Sequence, residues 1–300
     1  MKQKELMTQV TEKIVQMLSE GDVERWTKPW RQFGAPRNLL TGRRYSGPVN
    51  LLLLQLSMMK SDFQYPAWAT YLQIQEAGGH VLSGQKATPI VFWKPLDNGN
   101  QAPAEQTEIS RDNLTEPAGR KPGFVLQQFS VFNLDQTNLD AKETLQRLGM
   151  ELRPLTTDAE VETFISKMGA HIIHRGDSAH YDRRDDKIVM PLREAFQSIQ
   201  DYYSTVMHEL VHWTGHANRL NRNLDGHFGS ENYAREEIIA ELGSLYLCSE
   251  LGIAGKLQHK EYLHSWLSIL KKDCREIFRL SGKAQEAAEW LLNQSLQKAA

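Results

Sequence analysis

The sequence contains the pentapeptide His208-Glu209-Leu210-Val211-His212, in which two histidines are four residues apart. On an α-helix, residues with this spacing lie on one face about one turn apart, so both imidazole rings can bind the same metal ion. Glu209 would lie beside that ion, where its carboxylate can act as a general base toward a water molecule. The spacing therefore predicts a metal site of the hydrolase type, with His208 and His212 as ligands and Glu209 as the catalytic residue. The alternative is an accidental pair of surface histidines.

The motif does not identify the third protein ligand. The metzincin pattern His-Glu-x-x-His-x-x-Gly-x-x-His matches at Gly215 but fails at Asn218, where it requires a histidine. His216 lies four residues beyond His212, and on a straight helix it would be about 12 Å along the axis from His208. That separation is too long for one shared ion unless the chain turns sharply at Gly215.

Carboxylates of the following segment are better candidates for the third ligand. Glu236, Glu237 and Glu241 occur in Glu-Glu-Ile-Ile-Ala-Glu-Leu-Gly, and the last two share a helix face. We favour Glu237 as the metal ligand and Glu241 as the acceptor of a hydrogen bond from a ligand histidine. Glu241, His216 and Glu236 remain alternatives as ligands. A solvated acidic face is the competing interpretation, and it explains Glu236 better than Glu241.

Segment 237–243 resembles the second motif helix of gluzincins such as thermolysin. That helix carries a ligand glutamate and, four residues later, an acidic residue that supports the ligands. Two histidines and one carboxylate favour Zn²⁺ by ligand type, with Mn²⁺ as an alternative.

Cations and aromatic side chains alternate near the N-terminus. Single-stranded nucleic acid binding needs flat rings for base stacking and positive charge for phosphates. This pattern agrees with a nucleic-acid partner, but by itself it is a weak signal. Tryptophans four residues apart could equally pack in a core, and surface arginines are common. The candidate DNA-binding residues are Arg25, Trp26, Lys28, Trp30, Arg31, Arg37, Arg43, Arg44 and Tyr45.

The net charge of −2 is distributed unevenly along the chain. Residues 1–95 contain 12 Lys or Arg and 7 Asp or Glu, whereas residues 96–300 contain 23 and 30. A basic first third and an acidic remainder indicate two modules with different partners.

No apolar run approaches the roughly 18 residues that span a bilayer, so no membrane partner is expected. Two cysteines cannot form a disulfide framework, which makes the cytoplasm the default location.

Apolar spacing and turn residues predict an α+β fold in two domains. Residues 1–138 form the first predicted domain, and residues 97–122 within it, rich in Asn, Gln, Pro and Gly, are predicted to be a mobile loop. Within this domain we predict helices at 3–20, 49–60 and 68–78, a strand pair within 81–93 and a strand at 124–134.

Residues 139–157 are predicted to be a connector with a short helix, and residues 158–300 form the proposed metal-binding domain. Strand 187–191 is predicted to be an edge strand above the metal cleft, where an extended peptide substrate could pair with it. The other predicted elements of this domain are a strand at 171–174 and helices at 161–168, 202–215, 233–251 and 259–297.

Several motifs resemble those of ArdC-type antirestriction proteins, and together they cover nearly the whole chain except 97–122. In the first module they are Trp-x-x-Pro-Trp at 26–30, Pro-Arg-Asn at 36–38 with Thr41-Gly42, Tyr-x-Gly-x-x-Asn at 45–50, Trp-Ala-Thr at 68–70 and Val-Phe-Asn at 131–133. In the second they are His-Glu-Leu-Val-His-Trp-Thr-Gly-His at 208–216, Arg219-Leu220 and segment 236–244.

The resemblance implies a plasmid-encoded protein that binds single-stranded DNA through its first domain and protects DNA entering a recipient cell from restriction. It also implies a zincin-like metallopeptidase domain, which adds a protein substrate or a restriction enzyme as a candidate partner. The alternative is a DNA-binding antirestriction protein whose metal domain is structural and non-catalytic.

Overall fold

The first helix buries the apolar stripe that its spacing predicts. We describe a computed structural model that covers residues 3–20, 36–45, 47–95, 124–150, 158–227, 229–253 and 263–297. Helix α1 spans Gln3–Glu20, and its predicted apolar positions are at most 5% exposed. These positions are Leu6, Val10, Ile14, Met17 and Leu18.

A four-stranded sheet forms the centre of the N-terminal region, in the order β1-β2-β4-β3. β1 pairs with β2 in parallel, and the other neighbours are antiparallel. Helix α2 lies against β3 at the sheet edge, and the short helix α3 follows β2. The bounds are β1 Arg37–Asn38, α2 Pro48–Ser61, β2 Ala67–Thr70, α3 Tyr71–Glu76, β3 Thr88–Pro95 and β4 Phe124–Asn133.

Two element predictions for this region were wrong. Residues 68–70 are extended because they pair with β4, and the helix begins only after Thr70, whose hydroxyl accepts from the Gln73 backbone N–H. The strand pair around Gly84 does not form: β3 pairs with β4, and Val81 makes only an isolated bridge to Thr137. The predicted loop at 97–122 lies outside the described residues.

Side chains of α2 occupy the free edge of β3. The Asn50 carboxamide accepts from the Val91 backbone N–H and donates to the Val91 carbonyl, both at 2.8 Å. Asn50 is 4% exposed, so these groups are satisfied away from water. Asn50 therefore takes the place that a further strand would need beside Val91.

A three-stranded sheet opens the C-terminal region, in the order β5-β7-β6. β7 is the central strand, paired with β5 in parallel and with β6 antiparallel. The prediction of an edge strand at 187–191 was therefore wrong, because the unpredicted strand β6 covers its outer side. The bounds are α4 Ala141–Arg147, α5 Asp158–Met168, β5 His171–His174, β6 His180–Asp182 and β7 Lys187–Met190.

Four helices follow in the described residues after 198, and α7 packs against both α6 and α9. The helix predicted at 259–297 is divided, because the chain turns between Lys272 and Glu276. The bounds are α6 Ile199–Thr214, α7 Glu231–Leu251, α8 Leu263–Lys272 and α9 Glu276–Gln297. Among the described helices, none is both long and apolar enough to cross a membrane.

One hydrophobic core joins elements from both regions. It contains α1 residues such as Ile14 together with Tyr203 of α6 and Trp266 of α8. The Thr11 hydroxyl of α1 also donates to the Cys274 carbonyl at 2.8 Å. Helix α1 is therefore buried against the C-terminal helices, and the N-terminal region depends on them for part of its core.

Candidate metal centre

Helix α6 presents His208, Glu209 and His212 from a buried position. Ser198 caps its N-terminus, where the serine hydroxyl accepts from the Asp201 backbone N–H at 3.1 Å, and Gly215 follows its last residue. His208 and Glu209 are 1% and 3% exposed. These two side chains therefore belong to a built site, and the interpretation as surface histidines does not hold for His208.

Helix α7 brings the three glutamates to α6. The Ser230 hydroxyl accepts from the Tyr233 backbone N–H at the start of the helix. Glu236, Glu237 and Glu241 are 7%, 4% and 2% exposed. The solvated acidic face considered for this helix is therefore wrong, including for Glu236, which it was thought to explain best.

A close approach of the two helices occurs at Gly243. A Cβ at this position would lie 2.9 Å from Cγ2 of Val211, the residue before His212. It would also lie 3.3 Å from the Ala284 carbonyl of α9. Glycine therefore sets the short separation between the helix of the histidines and the helix of Glu237.

Ligand atoms of His208, His212 and Glu237 converge at one point. The two Nε2 atoms are 3.1 Å apart, and the Glu237 oxygens lie 3.6 Å from His208 Nε2 and 3.5 Å from His212 Nε2. Donors about 2.0–2.1 Å from a tetrahedral ion are about 3.3 Å apart. The two Glu237 distances involve different carboxylate oxygens, Oε2 toward His208 and Oε1 toward His212. One ligand atom from each of the three side chains lies within 4.8 Å of the others, and their nitrogen and carboxylate donors suit a divalent ion.

The charges at this point attract a cation. Desolvation lowers the pKa of His212, but the Glu236 and Glu237 carboxylates outweigh it and raise that pKa to about 10. Burial raises the pKa of Glu237, but the two histidines outweigh it and hold the pKa well below its ordinary value. Without a metal ion, a proton on the His212 imidazole would balance part of the buried carboxylate charge.

Glu236 supports His212 from the side opposite Glu237. Its Oε1 lies 3.3 Å from His212 Nδ1, and Arg222 donates to both of its oxygens, at 2.7 and 3.2 Å. Arg222 also donates to the Thr214 hydroxyl and the Val211 carbonyl, both at 2.7 Å. Sequence reasoning missed this pair, because only the fold of the loop between α6 and α7 brings Arg222 to the helix end.

Glu241 and Glu209 lie close to the same histidines. Glu241 Oε1 is 3.8 Å from His208 Nδ1, an ion-pair distance that is longer than a hydrogen bond. Oε2 of Glu209 is buried and accepts no hydrogen bond from the described residues. A buried carboxylate oxygen with unused acceptor capacity can take a proton from a bound water molecule.

His216 does not join the three donors. Its Nδ1 accepts from the Asn218 backbone N–H at 3.2 Å in the turn after α6. Among the described residues, the one group of three donors that could hold an ion is His208, His212 and Glu237.

The predicted DNA-binding residues that the structure describes lie together around one turn, where Arg37 and Arg44 form an isolated antiparallel bridge, but their side chains have different surroundings. Arg43 is exposed, Arg44 forms an ion pair with Glu250 of α7, and Arg37 donates to the Gly42 carbonyl at 3.2 Å. Tyr45 is 7% exposed, and its hydroxyl donates to the Trp68 carbonyl. Its place among the stacking residues was therefore wrong, because the ring packs in the core. Arg25, Trp26, Lys28, Trp30 and Arg31 lie outside the described residues.

Two known domain families match the chain in the order of its regions. Residues 4–132 match the N-terminal domain of anti-restriction factor ArdC, and residues 159–283 match a zincin-like metallopeptidase. Together with the fold and the donor geometry, these matches define a protein with an ArdC N-terminal domain followed by a zincin-like metallopeptidase domain, in an α+β arrangement.

Whole-chain comparisons extend this assignment. Crystal structures of the antirestriction ArdC protein from plasmid R388, metal-free and Mn(II)-bound, superpose with TM-scores of 0.73 and 0.70 at 32% and 31% identity. Each comparison covers 97% of this chain and 98% of the other. An uncharacterized protein y4eC of Sinorhizobium fredii is 31% identical over 96% of this chain and 91% of its own. The chain belongs to the ArdC family of antirestriction proteins.

Longer proteins also contain this sequence pattern. Two DNA primases TraC of Escherichia coli are each 34% identical over 290 residues, which are 95% and 94% of this chain. The matched parts are 27% and 19% of the primases, so the chain spans about a quarter or less of their length.

Proposed function

We propose that this protein protects incoming plasmid DNA from host restriction by binding single-stranded DNA, and that its C-terminal domain holds one divalent metal ion. The observation that carries the metal proposal is the convergence of His208, His212 and Glu237, whose ligand atoms, one from each residue, lie within 4.8 Å of one another. Family membership supports the antirestriction role. We place this activity in the cytoplasm, where two free thiols persist.

Zinc is the ion that this donor set favours, because two imidazoles and a carboxylate suit a four-coordinate zinc ion with one open position. Manganese is the alternative, since the ArdC protein of R388 has a Mn(II)-bound structure. Glu236 and Glu241 would orient the two histidines.

A peptidase activity is the chemistry we propose for this site. A divalent ion, when bound, supplies Lewis-acid catalysis. Glu209 would accept the proton of the attacking water at its buried Oε2 and later transfer it to the leaving amine. The substrate would be a protein met near DNA, such as a restriction enzyme.

Single-stranded DNA binding is assigned to residues 1–138, with residues 139–157 as a connector to the metal domain at 158–300. The basic charge of the first third supports this proposal. Arg25, Trp26, Lys28, Trp30, Arg31, Arg37, Arg43 and Arg44 remain the candidate contacts.

A Glu209→Gln variant tests whether peptidase chemistry serves antirestriction. We expect it to keep its metal content, because Glu209 is not among the three donors, and to lose protection of a plasmid transferred into a restricting recipient. Transfer into a non-restricting recipient is the control. Full protection by Glu209→Gln, with metal retained, would leave the metal domain a structural role and assign the protection to DNA binding.

A further inference from the structure

The outer end of the β3–β4 ribbon exposes an unusual share of apolar side chains. Eight large apolar side chains of the described residues are strongly exposed, and three of them, Trp93, Val125 and Phe129, belong to these two strands. Isolated exposed apolar residues need no explanation, but a cluster on one element indicates a binding surface.

The register places Val125 and Phe129 on one face of the ribbon and Trp93 on the other. Ile90 pairs with Phe129, Phe92 with Gln127 and Lys94 with Val125, so these six side chains share the first face. We call the outer part of this face, formed by Phe92, Lys94, Val125, Gln127 and Phe129, the ribbon face. Trp93 lies opposite Leu126 and points to the other side.

The two phenylalanines form an aromatic pair on the ribbon face. Their rings meet edge to face, with centroids 5.6 Å apart and planes at 71°. Phe129 is 36% exposed, while Phe92 packs partly against the core cluster that contains Ile90. The core therefore holds the Phe92 ring in place, and the Phe129 ring beside it remains accessible for stacking.

The chemistry of the ribbon face suits a polyanion with flat bases. β3 and β4 contain no Asp or Glu over their full lengths, and Lys94 and Gln127 are exposed beside the rings. Aromatic rings stack on bases, a lysine contacts phosphate, and amides bind base edges. The absence of carboxylates from both strands means that neither strand repels phosphates.

Size and edge geometry argue against a protein partner. From Ile90 to Lys94 the strand rises about 13 Å, and two strands about 4.8 Å apart give a face on the order of 100 Å². A stable protein interface buries about 800 Å² on each partner. A strand could not add beside Val91 either, because Asn50 occupies its N–H and C=O groups.

We propose that the ribbon face is a stacking platform for two or three bases of single-stranded DNA, with Phe129 as the main stacking residue and Lys94 as a phosphate contact. This inference rests on the proposed DNA-binding function and adds a contact surface outside residues 25–45. Small sheets that display aromatic rings can accommodate this number of bases.

The test measures binding of a fluorescent oligo(dT) to the full chain by anisotropy. Phe129→Leu keeps an apolar side chain but removes the flat ring, so we expect affinity to fall about 5- to 150-fold. Phe129→Trp should retain wild-type affinity. Lys94→Gln should reduce the salt dependence of binding by about 0.7 in the log–log slope.

Trp93→Leu is the matched control, because it removes an exposed aromatic ring from the same two-stranded ribbon as Phe129 but from the opposite face. We expect it to bind like the wild type, and circular dichroism confirms that each variant folds. Photo-crosslinking of 5-iodouracil oligonucleotides should label peptides containing 88–95 or 124–133.

The outcomes separate this inference from the proposed function. If the wild type does not bind oligo(dT), the DNA-binding function itself fails. If the wild type binds and Phe129→Leu binds equally well, or Trp93→Leu is as weak as Phe129→Leu, the ribbon face is overturned while DNA binding stands. Self-association lost in Phe129→Leu with unchanged DNA affinity would assign the face to a second copy and overturn the proposal.

Discussion

Nδ1 of His212 lies 3.3 Å from Oε1 of Glu236, on the side of the imidazole ring opposite Nε2. Glu236 is fixed in turn by Arg222, which is also buried. A ligand histidine with a fixed ring orientation loses less freedom when an ion binds, and its partner sets which nitrogen faces the ion.

Arg222→Ala is expected to weaken metal binding by about 10- to 100-fold, because Glu236 loses the partner that holds it against His212. Competition with a chromogenic chelator measures the affinity. Arg184→Ala removes an exposed arginine and should leave it unchanged. Arg222→Lys keeps the positive charge but cannot donate to both Glu236 oxygens, so its metal affinity should lie between those of the wild type and Arg222→Ala. Wild-type affinity in Arg222→Ala, with an unchanged fold, would contradict a positioning role.

Metal content should distinguish Glu237 from Glu241. Glu237→Ala removes one of three donors and is expected to leave less than one-tenth of the wild-type metal after dialysis, whereas Glu241→Ala should retain metal with about 10- to 100-fold lower affinity. Elemental analysis of the purified variants measures this and also identifies the ion. The assignment is wrong if Glu241→Ala loses the metal and Glu237→Ala keeps it.

The stability of the metal-free protein should decrease as the pH rises above neutrality. The pKa of His212 is raised from 6.5 to about 10 in the folded state, so its protonation stabilises the fold fully below about pH 6.5. This contribution is lost as the pH rises toward 10. Thermal unfolding after chelator treatment should show a steeper fall in Tm between pH 6.5 and 10 for the wild type than for His212→Gln. If Tm falls equally steeply with pH in both proteins, the pH dependence does not come from His212.

Asn50→Ala should destabilise the fold by about 1–3 kcal/mol for each Val91 backbone group left unpaired. Both hydrogen bonds are buried, so water cannot replace them without opening the edge of β3. Urea unfolding measures the free-energy difference. Gln128→Ala, on the strand opposite Val91 but exposed, is the control and should change stability by less than about 0.5 kcal/mol. An equal effect of both substitutions would show that the edge pairing contributes nothing specific.

Local patterns predicted the part of the site that a single helix carries. His208, Glu209 and His212 lie on α6 because the motif and the helix period belong to the same few residues. Spacing alone offered Glu237 as one of several possible third ligands. Its position beside the two histidines depends on how α7 packs against α6. Arg222 lies in an irregular loop, and no periodicity marks its contact with Glu236.

Strand pairing and burial were harder to predict for the same reason. Gly84 indicates a turn, but the partner of β3 is β4, separated from it by 28 residues. Tyr45 follows two arginines, and sequence proximity to cations cannot show that its hydroxyl bonds to Trp68 in the core.

Gly243 allows the two helices that carry the metal ligands to pack closely together. A Cβ at this position would lie 2.9 Å from Cγ2 of Val211, so the Val211 side chain of α6 packs directly on the backbone of α7. This contact holds the helix of the two imidazoles against the helix of the Glu237 carboxylate. A methyl group at 243 would force the two helices apart, so we expect it to separate the donors and weaken metal binding.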